Sequence, residues 1–382
     1  MLLSGSAQAA SCDSALVSAC INSDTLWPHA GPSRFLSIGG AETVAEGRVG
    51  FGLITSYLSR PIMLHVPSPG PSGSDAAAID DQVNGTFTFA YGVTRRLELD
   101  AMLPLTFAQG GSGASPITGA NALRDTATRD ARFGFAYAVV PRPGVDPASA
   151  TGKLPGVVAR FEVSAPVGDK EQFAGEKSAV FAPSIAADYR AGRFFFGAEM
   201  GARIRPTAEL VGARVGTQAV VGIAAGFDVL PRELLSVMLE ARALPVLVEQ
   251  ATSAQTSAGL VSTPNGKMIA PAEWQLGVRT APLAGGDLAI ALGGGGWLPL
   301  SSDAPITTPR FRFTLGIVLA PLARDTDGDG VTDGLDRCPQ EKGSKTSEAG
   351  AGCPDLPPKA PEIIDATMSG PSAPVAPTAP AR

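Results

Sequence analysis

The fold is decided by a stretch of alternating residues at positions 82–107, which reads QVNGTFTFAYGVTRRLELDAMLPLTF. In its first half Phe87 and Phe89 occupy every second position, and Thr86 and Thr88 stand between them. The second half repeats the pattern with leucines that alternate with acidic and other residues. A period of two is typical of a β-strand whose two faces meet different surroundings. The break at position 94 predicts a tight turn between two antiparallel strands.

The same alternation recurs from residue 47 to residue 320. About twelve segments carry it, at residues 47–58, 82–93, 95–107, 129–140, 156–167, 178–190, 193–205, 214–229, 234–246, 270–281, 287–298 and 308–320. The intervening segments are mostly long and short in turn, and the Pro-rich stretch 141–155 is the exception on the short side. This is typical of a barrel with long loops at one rim and tight turns at the other. An even strand number returns both chain ends to the short-turn rim, which we expect to be periplasmic.

One face of most segments carries charged residues, and the opposite face is nearly free of charge. A soluble barrel would bury Phe and Leu inside, whereas a membrane barrel turns them toward lipid and keeps the charges in its lumen. The number of segments and the Gly and Ala content favour the membrane barrel, with a soluble β-sandwich or jelly roll as the alternative. The sequence therefore predicts an all-β fold, a transmembrane antiparallel β-barrel at residues 47–320. The charged positions are Arg48, Arg96, Glu98, Asp100, Asp130, Arg132, Arg160, Glu162, Asp188, Glu199, Arg203, Glu240, Arg242, Glu273, Arg279, Arg310 and Arg312.

The charges of the predicted lumen have two interpretations. Opposite charges on neighbouring strands would form ladders that fill the interior, or the charges would line a pore and select solutes. The first interpretation is favoured, although the chain shows no obvious inserted plug, which favours an open lumen. Trp274 and Trp297 fall near segment ends and fit either an aromatic girdle at the membrane interface or plain packing.

Composition limits the remaining function classes. The net charge of −6 and the absence of Lys and Arg clusters exclude a nucleic-acid partner. No uninterrupted apolar run of transmembrane-helix length is present, and a membrane strand needs only about 9–11 residues. The two histidines, His29 and His65, stand in no metal spacing and beside no candidate nucleophile, so we expect no enzyme.

The cysteines form two local pairs, Cys12 with Cys20 and Cys338 with Cys353, which suit disulfides in an oxidising compartment such as the periplasm. Residues 1–20 are interpreted as a truncated signal peptide with a small-x-small site at positions 7–9. A lipid-modified Cys20 and an ordinary disordered N-terminus are the alternatives. Residues 21–46 are expected to form a periplasmic N-terminal segment.

Residues 325–336, DTDGDGVTDGLD, have the ligand spacing of a twelve-residue calcium loop. Carboxylates stand at positions one, three, five, nine and twelve, a glycine stands at the sharp turn of position six, and position seven offers its carbonyl. Crowded carboxylates repel one another without a cation, so Ca²⁺ would let the loop close. An acidic disordered linker is the alternative. The predicted ligands are Asp325, Asp327, Asp329, Val331, Asp333 and Asp336.

No helical segments flank this loop, and Cys-Pro follows at residues 338–339 and again at 353–354. Residues 325–354 resemble the thrombospondin type 3 repeat, in which aspartates wrap calcium and disulfides brace the wrap. The resemblance implies the same six ligands and a disulfide between Cys338 and Cys353. A single copy departs from the tandem repeats usual in that family.

A barrel followed by such a repeat resembles outer-membrane proteins of myxobacteria, many of which continue into an OmpA-like peptidoglycan-binding domain. Residues 355–382 are instead rich in Pro and Ala and are expected to form a disordered tail. The sequence thus predicts an outer-membrane protein of a Gram-negative bacterium, with both termini periplasmic and a structural calcium site. Its role would be envelope-organising, in contact with membrane lipid and a periplasmic or envelope protein, or alternatively that of a narrow channel for small solutes.

Overall fold

The computed structural model describes residues 12, 14–66, 74–119, 123–141, 155–230, 234–283, 287–301, 306–321, 327, 329, 331 and 336–355. The chain divides into two compact units, residues 1–325 and residues 326–382. The first unit holds all the long strands of the described residues.

Twelve long strands form one closed antiparallel sheet in the described part of the first unit. Each strand pairs with the next along the chain, and the last strand pairs with the first, from Phe51 opposite Leu319 to Ser59 opposite Phe311. The fold is therefore the all-β barrel that the sequence predicts. The strands are β1 (Val49–Val66), β2 (Ser74–Gly92), β3 (Leu97–Gly110), β4 (Arg132–Val140), β5 (Gly156–Ser164), β6 (Val180–Ala191), β7 (Phe194–Arg203), β8 (Gln218–Leu230), β9 (Leu235–Ala243), β10 (Ala272–Leu283), β11 (Leu288–Trp297) and β12 (Phe311–Leu319).

The two faces of each strand differ as the period of two predicts. On β2, Phe87 and Phe89 are exposed on the outer face, whereas Thr86 and Thr88 are buried inside. Large apolar side chains cover the outer face of the other strands in the same way, and Phe51 and Phe89 pack ring against ring across the β1–β2 pair. Because every strand has a hydrogen-bonded neighbour on both sides, the sheet has no edge strand whose backbone groups lack partners.

All twelve predicted segments correspond to observed strands, but the first predicted connection was too long. Residues 59–66 and 74–81, expected to be loop, continue β1 and β2 as a long hairpin. The register shifts between Ser59 and Ile62, and Arg60 has a positive φ of 49°, which interrupts the sequence period. The extension is stabilised by tertiary packing, since Ile62 and Ile79 are fully buried.

The connections alternate between the two rims of the barrel; apart from 141–155 they are short at one rim, and apart from 67–73 they are long at the other. One rim, called the short-turn rim, carries the connections 93–96, 141–155, 192–193, 231–234 and 284–287. The other, the long-loop rim, carries 67–73, 111–131, 165–179, 204–217, 244–271 and 298–310. Strand β1 begins and strand β12 ends at the short-turn rim.

The long-loop rim contains the small elements of the first unit. They are a helix at Ser115–Thr118, a 3₁₀ turn at Lys170–Gln172, a short strand at Ala127–Thr128, and two hairpins that pair Ala208–Leu210 with Ala213–Val215 and Ala251–Thr256 with Gly259–Pro264. Neither helix in the described residues is long and apolar enough to cross a membrane, a finding that concerns helical spans only.

Candidate functional site

The inner wall of the barrel is lined with buried charged side chains. Thirteen of the charges predicted to face the lumen do so. Arg279 is half-buried and lines the lumen beside the plug. The other twelve are buried: Glu98, Asp100, Arg132, Arg160, Glu162, Asp188, Glu199, Arg203, Glu240, Arg242, Glu273 and Arg312. Arg48, Arg96 and Arg310 are instead exposed at strand ends, and Asp130 lies in a connection, where it accepts hydrogen bonds from backbone N–H groups. Cross-strand ion pairs join Arg132 to Glu162 at 3.1 Å and Arg242 to Glu273 at 3.5 Å, so the predicted ladders form in part.

Residues 14–46 lie inside the barrel. This segment, called the plug, is mostly buried and hydrogen-bonded to the inner wall. The expectations of a lumen without a plug and of a separate periplasmic segment at residues 21–46 were therefore wrong. The segment lacks a strand period, and its hydrogen bonds use backbone N–H and C=O groups as well as isolated side chains such as Asp24 and His29. No local sequence pattern therefore predicts its place in the lumen. Its unexplained apolar residues, such as Trp27, Phe35 and Leu36, were the one available signal.

The plug contacts the wall first through Asp24. The Asp24 carboxylate accepts hydrogen bonds from Arg312 Nη1 at 2.8 Å and from Asn84 Nδ2 at 2.8 Å. Arg312 is fully buried and also donates to Glu273 at 2.7 Å, while Thr25 of the plug donates to the same Glu273 at 2.8 Å. The result is a satisfied charge network that spans the lumen between β2, β10 and β12.

Trp27 and His29 form the next contacts. The guanidinium groups of Arg203 and Arg132 lie 4.2 Å and 4.8 Å from the Trp27 ring centroid and make two cation–π contacts. The two His29 ring nitrogens face carboxylates on different strands, with Nδ1 2.5 Å from Glu162 and Nε2 3.0 Å from Glu199.

Residues 36–44 run around the inner wall and donate backbone N–H groups to a series of wall carboxylates. Glu240 accepts from Leu36 and Ser37, each at 2.7 Å, and also from the Ser37 hydroxyl at 2.6 Å. Further along the chain, Gly39 N–H donates to Glu199 (2.8 Å), Ala41 N–H to Asp188 (3.1 Å) and Val44 N–H to Glu98 (2.6 Å). In the opposite direction, Arg160 donates to the Gly40 carbonyl (2.6 Å). The carboxylates stand on β9, β7, β6 and β3, so this stretch covers more than half of the circumference.

Glycines of the inner wall make room for the apolar side chains of the plug. A Cβ at Gly197 would lie 2.4 Å from the Phe35 ring, and one at Gly293 would lie 2.5 Å from Leu36. Phe35 also packs against Phe195 with ring centroids 5.8 Å apart. The run of glycines at positions 293–296 lies inside β11, and Gly293 contacts the plug.

The long-loop rim is sealed by an apolar cluster, called the mouth cluster. It joins the first residues of the plug to the β1–β2 extension and to the rim loops. Its members are Val17, Ala19, Ile21, Ile62, Leu64, Ala78, Ile79, Ala114, Phe173, Ala208, Leu210, Val215 and Ile306. Burial of these side chains explains why the loops fold over the mouth rather than extend into solvent.

A cavity remains between the plug and one arc of the wall. On the plug side it is lined by residues 28–38, including Phe35 and Leu36. On the wall side it is lined by small or apolar residues of β1, β11 and β12, namely Ile54, Ala289, Ala291, Gly316 and Val318. The charged wall residue that lines it is Arg279 of β10. This arc is the one that the carboxylate-bound stretch 36–44 leaves uncovered.

The predicted calcium ligands are only partly covered by the described residues. Asp327, Asp329 and Asp336 each bring a carboxylate oxygen within 4.8 Å of the others. Val331 is buried and donates its N–H to Asp329 at 2.7 Å, and Gly343 donates to the same carboxylate at 3.0 Å. Asp325 and Asp333 lie outside the described residues.

Both local cysteine pairs are disulfides. Cys338 and Cys353 are joined with their Cα atoms 4.9 Å apart, and Cys12 and Cys20 with their Cα atoms 5.2 Å apart. A Cys20 bound to Cys12 and fully buried is not available for lipid modification. Trp274 and Trp297 are both exposed on the outer face near the long-loop ends of β10 and β11, the position of a girdle residue.

A closed antiparallel barrel with an apolar outer band and a polar interior is the architecture of a β-barrel that spans the outer membrane. No protein-family model matches the chain, and no curated protein sequence matches it. Solved structures do match over most of its length.

An outer-membrane channel from Pseudomonas putida F1 is 15% identical, with a TM-score of 0.48, over 74% of this chain and 98% of that chain. A toluene transporter from Pseudomonas putida is 10% identical with a TM-score of 0.35, over 79% and 96% of the two chains. A toluene transporter from Ralstonia pickettii is 11% identical with a TM-score of 0.34, over 74% and 92%.

Proposed function

We propose that this protein is a closed outer-membrane barrel with a structural, envelope-organising role, and that its resting state conducts no solute. The observation that carries the proposal is the plug. Residues 14–46 occupy the lumen, and the wall charges that would line a pore are used to hold this segment.

The polar groups of the wall support a permanent role for the plug. Glu240, Glu199, Asp188 and Glu98 each accept at least one plug N–H, and Arg132 donates to the Pro28 carbonyl at 3.0 Å. Removal of the plug would break these hydrogen bonds, at a cost of about 1–3 kcal/mol for each buried group that neither protein nor water then satisfies. A segment held by many such bonds is a structural element of the barrel.

The C-terminal unit is proposed to bind one structural Ca²⁺. Three carboxylates that converge within 4.8 Å repel one another unless a cation lies between them. Asp336 Oδ2 is buried and has no hydrogen-bond partner among the described residues, as expected of an oxygen atom that binds a metal ion. Asp327, Asp329, Asp336 and the Val331 carbonyl would hold the ion together with Asp325 and Asp333, and the Cys338–Cys353 disulfide would brace the loop.

Strand β12 ends at the short-turn rim, and in outer-membrane barrels the short turns are periplasmic. The calcium-binding segment that follows in the chain is therefore proposed to be available to a periplasmic or envelope protein in a Gram-negative bacterium. Calcium would stiffen this segment, so its role would be that of a joint.

A channel for small solutes is the second candidate function, and one observation favours it. The cavity beside Leu36 follows the wall arc of small residues, and this arc is not held by the carboxylate contacts of residues 36–44. A shift of residues 35–38 away from Ala289, Ala291 and Gly316 would widen it.

Single-channel recording in planar bilayers separates the two functions. The purified protein is expected to give no current, whereas a Glu240→Ala variant, in which three hydrogen bonds to Leu36 and Ser37 are lost, is expected to give brief openings. Steady solute-dependent current from the unmodified protein would contradict the closed barrel and support the channel.

A further inference from the structure

The plug crosses the lumen from one rim to the other. At its beginning, Ser18 N donates to Glu209 O at 2.8 Å and Val211 N donates to Leu16 O at 2.9 Å. Both partners belong to the connection 204–217 of the long-loop rim. Ser23 N donates to Phe173 O at 3.0 Å, in the connection 165–179 of the same rim. Residues 16–23 therefore lie under the long loops.

The other end of the plug lies at the short-turn rim. Ala45 N donates to Pro321 O at 2.9 Å, just after β12, and Gly47 N donates to Gly92 O at 2.8 Å, at the end of β2. Between these two ends the chain meets the wall in order, with Asp24 at Arg312, His29 at Glu199 and Val44 at Glu98. Fully extended, residues 17–45 would span roughly 90 Å, so the segment has ample length to wind across a lumen about 30 Å long.

This crossing changes the topology that an even strand count implies. Twelve strands alone would place both ends of the chain at the short-turn rim. The plug adds one more passage through the membrane, made inside the barrel rather than in its wall. Leu16, near the beginning of the described first unit, and Pro321, at its end, therefore lie at opposite rims.

We propose that this protein presents its N-terminal end on the outer face of the membrane, threaded there through its own barrel. Long loops of outer-membrane barrels are extracellular and short turns periplasmic, so the long-loop rim, where residues 14–23 emerge, faces outward. This position of the N-terminal end is the same whether the lumen is closed or conducts solutes.

Two features hold the end in place. The mouth cluster buries Val17, Ala19 and Ile21 against the loops. The Cys12–Cys20 disulfide closes the chain into a ring beside that cluster. A ring at the outer mouth is wider than a single extended chain and would oppose withdrawal of the segment toward the short-turn rim.

The test is epitope accessibility on intact cells. One tag is inserted between Ser11 and Cys12. A second, placed between Ser257 and Ala258 at the exposed tip of the hairpin 251–264, reports the long-loop rim. A third, placed within residues 142–154, reports the short-turn rim. Heat-modifiable migration on a gel shows that each tagged barrel has folded.

Antibody is expected to label the first and second tags equally on intact cells, and the third only after the outer membrane is permeabilised. Labelling of the second tag but not the first on intact cells would overturn the proposal. Labelling of the third tag on intact cells, with the first and second hidden, would overturn it too, because the barrel would then be oriented the other way.

A second measurement uses the untagged protein in case an insertion prevents assembly. A membrane-impermeant amine reagent is applied to intact cells, and the N-terminal peptide is analysed by mass spectrometry. Labelling of the N-terminal amine at the level seen in permeabilised cells is expected. An amine that reacts at least tenfold more in permeabilised cells would overturn the proposal.

Discussion

The outer and inner faces of the barrel are built from the same twelve strands, yet they are stabilised in different ways. On β3 the outward Leu99 and Leu103 are half exposed on the face that a membrane barrel turns toward lipid, so any large apolar residue would serve there. The inward Glu98 is fully buried and is bonded to Val44, one particular residue of a distant segment. The outer face thus requires only that its side chains be apolar, whereas each inward charge requires a particular partner of matching shape and charge.

The difference predicts unequal sensitivity to substitution. An outward position tolerates apolar exchange and rejects charge, because lipid offers no hydrogen bonds. An inward position tolerates neither loss of charge nor loss of its partner, because the groups left behind remain buried. The following predictions test this contrast, from the largest expected effect on the barrel to the smallest.

Arg312→Met is expected to be the most damaging substitution. Arg312 is fully buried and pairs with Asp24 at 2.8 Å and Glu273 at 2.7 Å, so its removal leaves two carboxylates without their main cation. Breaking a buried pair in this way costs about 3–5 kcal/mol. Urea unfolding in lipid vesicles measures the effect. Arg310→Met, two residues earlier and exposed, is the control, and equal loss in both variants would contradict the prediction.

Leu103→Arg tests the outer face. Leu103 is half exposed near the middle of β3, where lipid would surround the new charge. We expect a loss of about 2–4 kcal/mol, the cost of a cation near the bilayer midplane. The same unfolding assay applies, with Leu300→Arg in the connection 298–310 as control. If both variants unfold alike, the outer face does not meet lipid at this depth.

Glu240→Ala tests the hold of the wall on the plug. The substitution removes the acceptor of three hydrogen bonds from Leu36 and Ser37, and we expect a loss of about 1–3 kcal/mol. The barrel should still close, and limited proteolysis near residue 36 should become faster. Glu171→Ala, an exposed carboxylate of the 3₁₀ turn, should leave the cleavage rate unchanged. Unchanged cleavage in both variants would show that the plug does not depend on Glu240.

The smallest effect on the barrel is expected from Asp327→Ala combined with Asp329→Ala. Two of the three converging carboxylates are lost, so isothermal titration should show no calcium binding. Barrel folding should be unchanged on a heat-modifiable gel, because the chain divides into separate compact units near residue 325. Asp355→Ala, in the same unit but outside the cluster, is the control. A barrel that no longer folds would show that the two units are not independent.

The candidate sites differed in how far the sequence could predict them. The calcium ligands are predicted by spacing within a dozen residues, a local pattern, and both disulfides likewise join near neighbours in the chain. The lumen charges were recognised as inward because each stands opposite an apolar residue on its strand. Their partners were missed, because Glu199 meets His29 and Gly39 across 160 residues or more of chain.

By itself, the sequence determined the wall of this protein. A period of two fixes which side chains share a face, and lipid outside a closed sheet requires the apolar face to point outward. Strand number, pairing order and the alternation of rims follow from that pattern and from the lengths between segments. None of this requires a contact between distant parts of the chain other than the pairing of β1 with β12.

Only the tertiary structure decided what fills the lumen. The plug is held by backbone N–H and C=O groups, which nearly every residue offers, and by isolated side chains such as Asp24 and His29, so no local pattern marks residues 14–46 as an inserted segment. Its fit depends on where Gly197 and Gly293 leave space and where Glu240 and Glu98 present acceptors. Those positions exist only after the barrel has closed, and they place the beginning of the plug at the rim opposite to its end.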